Sequence, residues 1–337
     1  MTTLLDIEDV HIRFQSKGKL QAFLDRDSSR FIDAVCSVSM TMQPNETVAL
    51  VGESGAGKTT LARAVIGLNH VSEGSIRFEG REISNLPDST FKPLRRNIAM
   101  MFQDPVGSLS PRITVRSLIT EPFRIHSIKD INLNDKADEL LNMVGLPPSF
   151  GNLFAHQLSG GQARRVGVAR ALALSPRLII ADEPTAGLDV SVQGEILNLM
   201  NRLQEQTGVG FLIITHNLNI VRHISHRMAI MYLGRFVEQG QTDTIFAQPL
   251  HPYTLALLSA NPSPDPDAPK KPLELKGEIP SLLHRPSGCE FHPRCPFAGE
   301  VCSRTFPQQE IRENGHRVCC HFPLDRTQQS GYQSGSR

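Results

Sequence analysis

A glycine-rich segment near residue 50 carries the first pattern that could do chemistry. It reads Gly-Glu-Ser-Gly-Ala-Gly-Lys-Thr, which fits a glycine, four residues and then Gly-Lys-Thr. The glycines let backbone N–H groups curl around phosphate oxygens, the lysine reaches the β and γ oxygens, and the threonine hydroxyl can bind Mg²⁺. The alternative is a glycine-rich turn without a ligand. The predicted triphosphate site comprises Gly52, Glu53, Ser54, Gly55, Ala56, Gly57, Lys58, Thr59 and Thr60, with Thr59 as a Mg²⁺ ligand.

Two acids and a histidine follow segments that have the composition of buried strands. Asp182 and Glu183 end the apolar run from Leu178, and His216 follows the run that ends at Thr215. An acid at the carboxyl end of a strand beside the phosphate loop predicts Asp182 as a Mg²⁺ ligand. Glu183 is predicted to polarise the attacking water and His216 to contact the γ-phosphate, which indicates a hydrolase. In the alternative, the acids only end a strand and the histidine caps the next helix.

A second helix start that contains bare glycines lies between these motifs. The segment Leu-Ser-Gly-Gly-Gln begins at Leu158 and opens a helical run. Backbone N–H groups and positive potential at such a helix start make a second phosphate-binding surface. One nucleotide has little use for two such surfaces of the same chain, so we predict that two chains complete each other's sites. The residues of this second surface are Ser159, Gly160, Gly161 and Gln162.

Alternating apolar and amphipathic stretches must position these motifs. Over the first 250 residues they predict an α/β domain with a mostly parallel core sheet, which we place at residues 1–261. Roughly 75 residues separate the second and third predicted strands, more than one crossover helix needs. An inserted helical subdomain is therefore predicted over about 104–176. The predicted strands are 47–51, 97–102, 178–182, 211–215 and 228–231.

The composition changes after this domain. Repeated prolines predict an extended linker over 262–276, and the Gln, Ser and Gly residues of 326–337 predict a flexible tail. Five of the six cysteines fall in 277–325, which predicts a small cysteine-rich C-terminal module. In a reducing compartment this concentration indicates metal binding rather than disulfides. The spacing departs from that of ordinary zinc sites, so zinc with His292 or His316 and unmetallated or paired thiols both stay open.

Charge and hydropathy exclude several functions. The net charge of +1 provides no field that would attract nucleic acid, so no nucleic-acid partner is expected. No apolar run approaches the roughly 18 residues of a spanning helix, and the first residues lack the features of a secretory signal. A cytosolic protein is expected, one that does not cross a membrane by itself.

The motifs and their order resemble the ATP-binding subunits of ABC transporters. Within that superfamily, further segments resemble the ATPases of oligopeptide, dipeptide and nickel importers, and the likeness covers about residues 4–324. These segments are Phe-Gln-Asp-Pro from Phe102, Asp-Val-Ser-Val-Gln from Asp189, Met-Tyr-Leu-Gly-Arg-Phe-Val-Glu from Met231, and His-Pro-Tyr-Thr-Leu from His251. The family fold adds an N-terminal antiparallel β subdomain to the domain predicted above.

The resemblance also implies roles for individual residues. Gln103 would sense Mg²⁺ and the permease, and Asp189 would bridge two ATPase subunits. An aromatic side chain from the N-terminal sheet would stack on adenine; Phe14 is the candidate, although a core role is the alternative. The surface of Ser159 to Gln162 would contact the γ-phosphate bound to the opposing subunit.

The C-terminal segment from Gly288 to Pro296 is similar to one in which some family members hold a four-iron, four-sulfur cluster. By this resemblance the chain would bind ATP, Mg²⁺ and such a cluster. The family's last cysteine precedes a histidine, as Cys320 does here, which leaves Cys319 as a spare. The implied cluster ligands are Cys289, Cys295, Cys302 and Cys320.

The function implied by the resemblance is that of a transport-coupled ATPase. The chain would pair with an identical or homologous ATPase, dock on two transmembrane permease subunits at the cytoplasmic face of the inner membrane, and depend on an extracytoplasmic substrate-binding protein. Uptake of oligopeptides or dipeptides is the first expectation, and nickel or another small solute is the alternative. More distant alternatives are a soluble mechanochemical ABC ATPase and an interaction protein with a degenerate site.

Overall fold

The fold is built from two sheets and ten helices in the described part of the chain. A computed structural model describes residues 3–15, 31–104, 107, 109–260, 273, 275 and 277–325. Most of the predicted linker 262–276 and all of the predicted tail 326–337 lie outside these residues. The strands are β1 (Leu5–Gln15), β2 (Phe31–Met42), β3 (Thr47–Val51), β4 (Glu73–Phe78), β5 (Arg81–Glu82), β6 (Ile98–Met101), β7 (Leu178–Asp182), β8 (Gly210–Thr215), β9 (Arg227–Tyr232), β10 (Arg235–Gln241), β11 (Glu310–Ile311) and β12 (Arg317–Val318).

The helices fill the connections between these strands. They are α1 (Lys58–Val65), α2 (Asp88–Phe91), α3 (Val115–Ile125), α4 (Leu133–Met143), α5 (Gly160–Leu172), α6 (Val190–Thr207), α7 (Leu218–Ile224), α8 (Thr242–Ala247), α9 (Pro252–Ala260) and α10 (Glu300–Arg304). Single 3₁₀ turns occur at Lys92–Arg96, Pro148–Asn152, Ala155–Gln157 and Glu313–Gly315.

The larger sheet has the strand order β11-β12-β10-β9-β3-β8-β7-β6. Its five strands from β9 to β6 run parallel, and β10, β12 and β11 add antiparallel pairs at one edge. The smaller sheet, β2-β1-β4-β5, is antiparallel throughout. The predicted mostly parallel core sheet and the N-terminal antiparallel sheet are therefore confirmed, and all five predicted strands are present within one residue of their predicted ends.

Both faces of the parallel sheet are buried. Every residue of β3, β7 and β8 is buried, as expected when helices and a second sheet cover the two faces of a parallel sheet. Successive residues of β8 alternate between the faces. Leu212 and Ile214 pack in a core with the N-terminal sheet and α1, whereas Phe211 and Ile213 pack in a core with α3 to α6.

Between β6 and β7 the chain forms the expected helices α3, α4 and α5. Thr114 caps α3 by accepting a hydrogen bond from the Ser117 N–H, and Asn132 caps α4 in the same manner. Arg165 of α5 donates to the carbonyl oxygen of Val144 at 2.8 Å, which joins α5 to the end of α4. This insertion contains the second glycine-containing helix start, at the first turn of α5.

The sequence predicts a separate small module over 277–325, whereas the structure packs this segment on the core. Strand β12 pairs with β10 and so extends the main sheet. His316 lies 2.7 Å from the fully buried carboxylate of Glu238, which also accepts hydrogen bonds from the Leu250 and His251 N–H groups. The physical reason is that β10 would otherwise expose an unpaired edge.

None of the helices that the structure describes combines the length and the apolar composition that crossing a bilayer requires.

A pair of matched substitutions tests where the core lies. Ile213→Ala removes a fully buried side chain of β8 and should lower the free energy of unfolding by about 2–5 kcal/mol. Ile311→Ala removes a side chain that is 63% exposed and should change it by less than about 0.5 kcal/mol. Urea denaturation followed by circular dichroism measures both, and equal effects would contradict the described packing.

Candidate nucleotide site

The phosphate loop lies between the end of β3 and the start of α1. Gly52 has φ 156°, and a Cβ at this position would lie 2.2 Å from the carbonyl oxygen of Met231. A Cβ on Gly57, with φ 103°, would lie 2.5 Å from the carbonyl oxygen of Ala34. Both positions therefore require glycine, because any side chain would collide with backbone of a neighbouring strand.

The loop forms one wall of a cavity of about 850 Å³. Most of the residues predicted for the nucleotide meet here, contributed by the N-terminal sheet, the phosphate loop, and the segments after β6, β7 and β8. The cavity is lined by Phe14, Ile32, Ala34, Val51, Gly52, Glu53, Ser54, Gly55, Ala56, Gly57, Lys58, Thr59, Thr60, Gln103, Asp182, Glu183, Ile214, His216, Leu257, Ile279 and Leu282.

Lys58 lies across the mouth of the loop. Its ammonium donates hydrogen bonds to the carbonyl oxygens of Gly52 and Glu53, at 2.7 and 2.9 Å. Burial lowers the pKa of Lys58, and the nearby carboxylates of Glu183 and Asp182 oppose that shift. A cation with so little hydration gains strongly from a phosphate group, because a charge-assisted hydrogen bond then replaces bonds to neutral carbonyls.

Two oxygen donors for a divalent cation lie next to each other. The Thr59 hydroxyl donates to the Asp182 carboxylate at 3.0 Å, and Asp182 is only 6% exposed. Burial raises the pKa of Asp182, while the hydrogen bond from Thr59 lowers it. A hydroxyl, a carboxylate and the nearby amide side chain of Gln103 form the oxygen donor set that Mg²⁺ prefers, so these residues fit the predicted ion.

Glu183 and His216 form one unit at the rim of the cavity. One carboxylate oxygen of Glu183 lies 2.6 Å from His216 Nδ1 and accepts a hydrogen bond from the His216 N–H at 3.2 Å. The other oxygen accepts from the Thr215 hydroxyl at 3.1 Å. Glu183 also has φ 49°, a strained conformation for a residue with a side chain. The carboxylate is 13% exposed and the imidazole 72%, so water reaches the acid beside the histidine.

The second glycine-containing helix start does not contribute to this cavity. Ser159 caps α5: its hydroxyl accepts from the Gln162 N–H, and the Gln162 side chain accepts from the Ser159 N–H. This reciprocal pair leaves the N–H groups of Gly160 and Gly161 for another acceptor. Neither these four residues nor Asp189, which is exposed at the start of α6, line the cavity in the part of the chain that the structure describes.

Sequence reasoning missed an arginine that joins three of the site's segments. Arg164 of α5 is 1% exposed and donates to the carbonyl oxygens of Phe102, Gln103 and Ala186, at 3.2–3.3 Å. Burial lowers its pKa. The helical pattern could have indicated this role, because it places Arg164 among the buried residues of α5, next to Ala163.

The apolar end of the cavity also contains residues that no motif indicated. Ile279 and Leu282 come from the C-terminal segment and Leu257 from α9, and they line the cavity that Phe14 also lines. Phe14 is 40% exposed, which is uncommon for a side chain that serves only as core. Its stacking on adenine stays a prediction.

Four cysteines meet at a second, much smaller cavity of about 10 Å³. Cys289, Cys295, Cys302 and Cys320 line it, and Cys319 does not. Burial, reinforced by the neighbouring thiols, raises the pKa of Cys320 to about 12 and that of Cys289 to about 11. All six cysteines are free, so the disulfide alternative is not borne out.

The metal expectation for these cysteines is not supported by their arrangement. Among the described residues, no three His, Cys, Asp or Glu side chains form a group that could hold a metal ion. His292 lies at the same small cavity, whereas His316 is paired with Glu238. The structure therefore places the four predicted thiols together without forming a metal centre.

Two family models match the chain in order. The model described as ABC transporter matches residues 35–186, which contain the phosphate loop, the second helix start and the two acids. The model described as oligopeptide/dipeptide transporter, C-terminal region, matches residues 237–302.

Full-length relatives show the same relationship. The oligopeptide transport ATP-binding protein AppF of Bacillus subtilis is 44% identical over 324 residues, 95% of this chain and 97% of that protein. The oligopeptide transport ATP-binding protein OppF of Escherichia coli is 43% identical over 94% of this chain and 95% of its own length.

Solved structures agree with the fold. A dimeric ATP-binding cassette in a post-hydrolysis state with ADP and Pi has a TM-score of 0.62 at 27% identity, covering 71% of this chain and 98% of that one. The cbiO1 protein of Clostridium perfringens, part of an ABC transporter complex, has a TM-score of 0.63 at 28% identity, covering 73% and 92%. Together with the relatives above, these matches show that the chain belongs to the ATP-binding subunits of oligopeptide/dipeptide ABC transporters and is an ABC-type ATPase.

Proposed function

We propose that this ATPase drives the uptake of oligopeptides or dipeptides through partner permeases. One observation carries the proposal: relatives named as oligopeptide transport ATP-binding proteins align over nearly the whole chain, including its C-terminal segment. Nickel or another small solute is the alternative cargo, and no contact among the described residues favours it.

The site geometry supports a direct attack of water on the γ-phosphate. The phosphate loop and Lys58 hold the triphosphate, and Thr59, Asp182 and Gln103 would hold Mg²⁺, which neutralises charge on the β and γ oxygens. Glu183 accepts a proton from water as the water oxygen bonds to the γ-phosphorus. The bond to the bridging oxygen breaks, and ADP and phosphate leave. His216 orients Glu183 and the water through the contact at 2.6 Å.

We infer that the helix start of a second ATPase subunit completes each site. The N–H groups of Gly160 and Gly161 belong to the first turn of α5, which does not line the chain's own cavity in the described residues. The likeness to a dimeric ATP-binding cassette supports this pairing. A swing from mostly open to mostly closed pairs needs about 5.5 kcal/mol of differential affinity, which two buried charge-assisted phosphate contacts can supply. Asp189 would lie near the subunit boundary.

A groove beside the helical subdomain is the proposed contact for a permease at the cytoplasmic face of the membrane. It has a volume of about 340 Å³ and exposed apolar side chains at Leu68, Phe102 and Ile125. Arg164 lines it and also donates to the Gln103 carbonyl, which connects the groove to the nucleotide cavity. Two permease subunits and an extracytoplasmic substrate-binding protein complete the proposed importer.

A four-iron, four-sulfur cluster at the small C-terminal cavity is a further proposal, and it requires the thiols to move from the described arrangement, in which no three of them form a group that could hold a metal ion. Its support is the donor set: four thiols share one cavity, and four thiolates are the ligands of such a cluster. Cys319 instead lies against the Gln309 side chain. The cluster would join the ends of the C-terminal segment.

Removing the proposed base tests both catalysis and transport. In proteoliposomes with the permeases and the binding protein, Glu183→Gln should lower ATP turnover by about 10²–10⁴-fold, because water then lacks its proton acceptor. Uptake of labelled peptide should fall in parallel, while a fluorescent ATP analogue still binds. Glu205→Gln, an exposed change on α6, serves as the control and should preserve both activities.

Two results would contradict this reading. Full turnover by Glu183→Gln in the complete transporter would exclude the base assignment. Uptake of Ni²⁺ without uptake of any peptide would exclude the proposed cargo.

Blocking the helix start tests the pairing of two subunits. Ser159→Arg should leave binding of the ATP analogue to the isolated chain unchanged, because Ser159 does not line the chain's own cavity. Turnover of the assembled transporter should fall by about 100-fold, since phosphate contacts from the opposing subunit are lost. Ser89→Arg on the exposed face of α2 is the matched control. Undiminished turnover with Ser159→Arg in both ATPase subunits would refute the shared site.

Adjacent cysteines provide a matched test of the cluster. After anaerobic purification, iron and acid-labile sulfide should approach about four each per chain. Cys320→Ser should lose both, and Cys319→Ser should retain them, because only Cys320 lines the cavity. Equal iron content in the two variants, or zinc in place of iron in the wild type, would contradict the proposal.

A further inference from the structure

The C-terminal segment reaches the phosphate loop through a single arginine. Arg294 Nη1 donates to one carboxylate oxygen of Glu53 at 2.7 Å, and Nη2 donates to the other at 3.0 Å. The Arg294 side chain is 7% exposed and that of Glu53 is 26% exposed. Two parallel hydrogen bonds fix the orientation of the guanidinium relative to the carboxylate as well as the distance between them, and burial reduces the screening of this pair by salt.

Glu53 is held by its backbone as well as by its side chain. Its N–H donates to the Tyr253 hydroxyl at 2.9 Å, and its carbonyl oxygen accepts from Lys58 at 2.9 Å. Glu53 therefore contacts both Arg294, through its carboxylate, and Lys58, through its carbonyl oxygen. A displacement of Glu53 would move that carbonyl and the lysine together.

Aromatic packing restricts Arg294 to this position. Its guanidinium lies 5.9 Å from the centre of the Tyr232 ring, within the range of a cation–π contact. Phe291, three residues earlier, packs with ring centres 5.3 Å from Tyr232 and 5.4 Å from Tyr253. The segment Cys289 to Cys295 thus packs beside the phosphate loop, and none of its residues lines the nucleotide cavity.

The phosphate loop is rich in glycine, so contacts from outside the loop can restrict its conformation. Gly52, Gly55 and Gly57 give it more conformational freedom than other residues would, and ordering that freedom on binding costs affinity. A buried ion pair by itself is weak support for a stability role, because desolvation offsets its attraction. The Arg294–Glu53 pair instead lies on the phosphate loop. If the pair holds this loop in its binding conformation before ATP arrives, its effect should be measured as a higher affinity for ATP.

We propose that Arg294 is a positioning residue for the phosphate loop, so that ATP affinity depends on the Arg294–Glu53 ion pair. The C-terminal segment is then a part of the nucleotide site although Arg294 touches no phosphate. This inference rests on the nucleotide site described above.

The test compares nucleotide affinity in the full chain. Arg294→Gln and Glu53→Gln should each raise the Kd for a fluorescent ATP analogue by about tenfold, and the double variant should be no weaker than either single one. The Kd of Arg294→Lys should lie between those of the wild type and Arg294→Gln, because an ammonium keeps the charge and loses the paired hydrogen bonds. In the complete transporter, KM for ATP should rise more than kcat falls. Arg304→Gln, in an exposed pair with Glu300 of the same segment, is the matched control.

The outcomes separate positioning from a merely structural contact. A lower melting temperature of Arg294→Gln with an unchanged Kd would overturn the proposal, as would additive losses in the double variant. If Arg294→Gln does not fold, Arg294→Lys and Glu53→Gln and their double variant serve the same comparison. Failure of the wild-type chain to bind the analogue would overturn the nucleotide site itself, whereas normal wild-type binding with unaffected variants would overturn this inference alone.

Discussion

The parallel alignment of three strands is the constraint on which the nucleotide site depends. In the register of the sheet, Val51 of β3 lies beside Thr215 of β8, and Ile214 of β8 lies beside Asp182 of β7. The phosphate loop, the proposed Mg²⁺ ligand Asp182 and the neighbouring Glu183 therefore lie together at the carboxyl ends of the parallel strands. A shift of one residue in this pairing would turn Asp182 towards the opposite face and remove it from Thr59. The glycines, the lysine and the acids contribute chemistry only because the buried strands align them.

Arg164 shows how the chemistry at this edge can reach the helical subdomain. It belongs to the helix that starts with Ser159 and Gly160, and it binds the carbonyl oxygens of Gln103 and Ala186. The segment after β6, the segment after β7 and the exposed helix start are thereby joined at one guanidinium. Separating any one of these segments from Arg164 would leave buried donors without acceptors, which is costly. Under the proposed function, these contacts would connect the γ-phosphate site to a permease.

Patterns of neighbouring residues predicted the helices and strands, but they did not predict contacts between residues that are far apart in the sequence. Strand β3, the phosphate loop and α1 are contiguous, so hydrophobic runs and glycine spacing were sufficient for them. The placing of Asp182 beside Thr59 could also be predicted, since parallel strands end at a common edge. The contact between Arg294 and Glu53 could not be predicted, because nothing in the residues around Arg294 specifies a partner in the phosphate loop. The same holds for Leu282 in the cavity wall, because only tertiary packing brings these residues to the nucleotide site.

The pairing of Glu53 with Arg294 joins residues that are 241 positions apart in the chain. A ribosome adding about 5–20 residues per second needs roughly 12–48 seconds to cover that distance. A nascent chain therefore presents its phosphate loop long before the arginine that pairs with Glu53 has been synthesised. Contacts of such high sequence separation also form late in folding, since closing a long loop must precede them. If the ion pair supports the phosphate loop as proposed, tight binding of ATP would be acquired only after Arg294 has been synthesised.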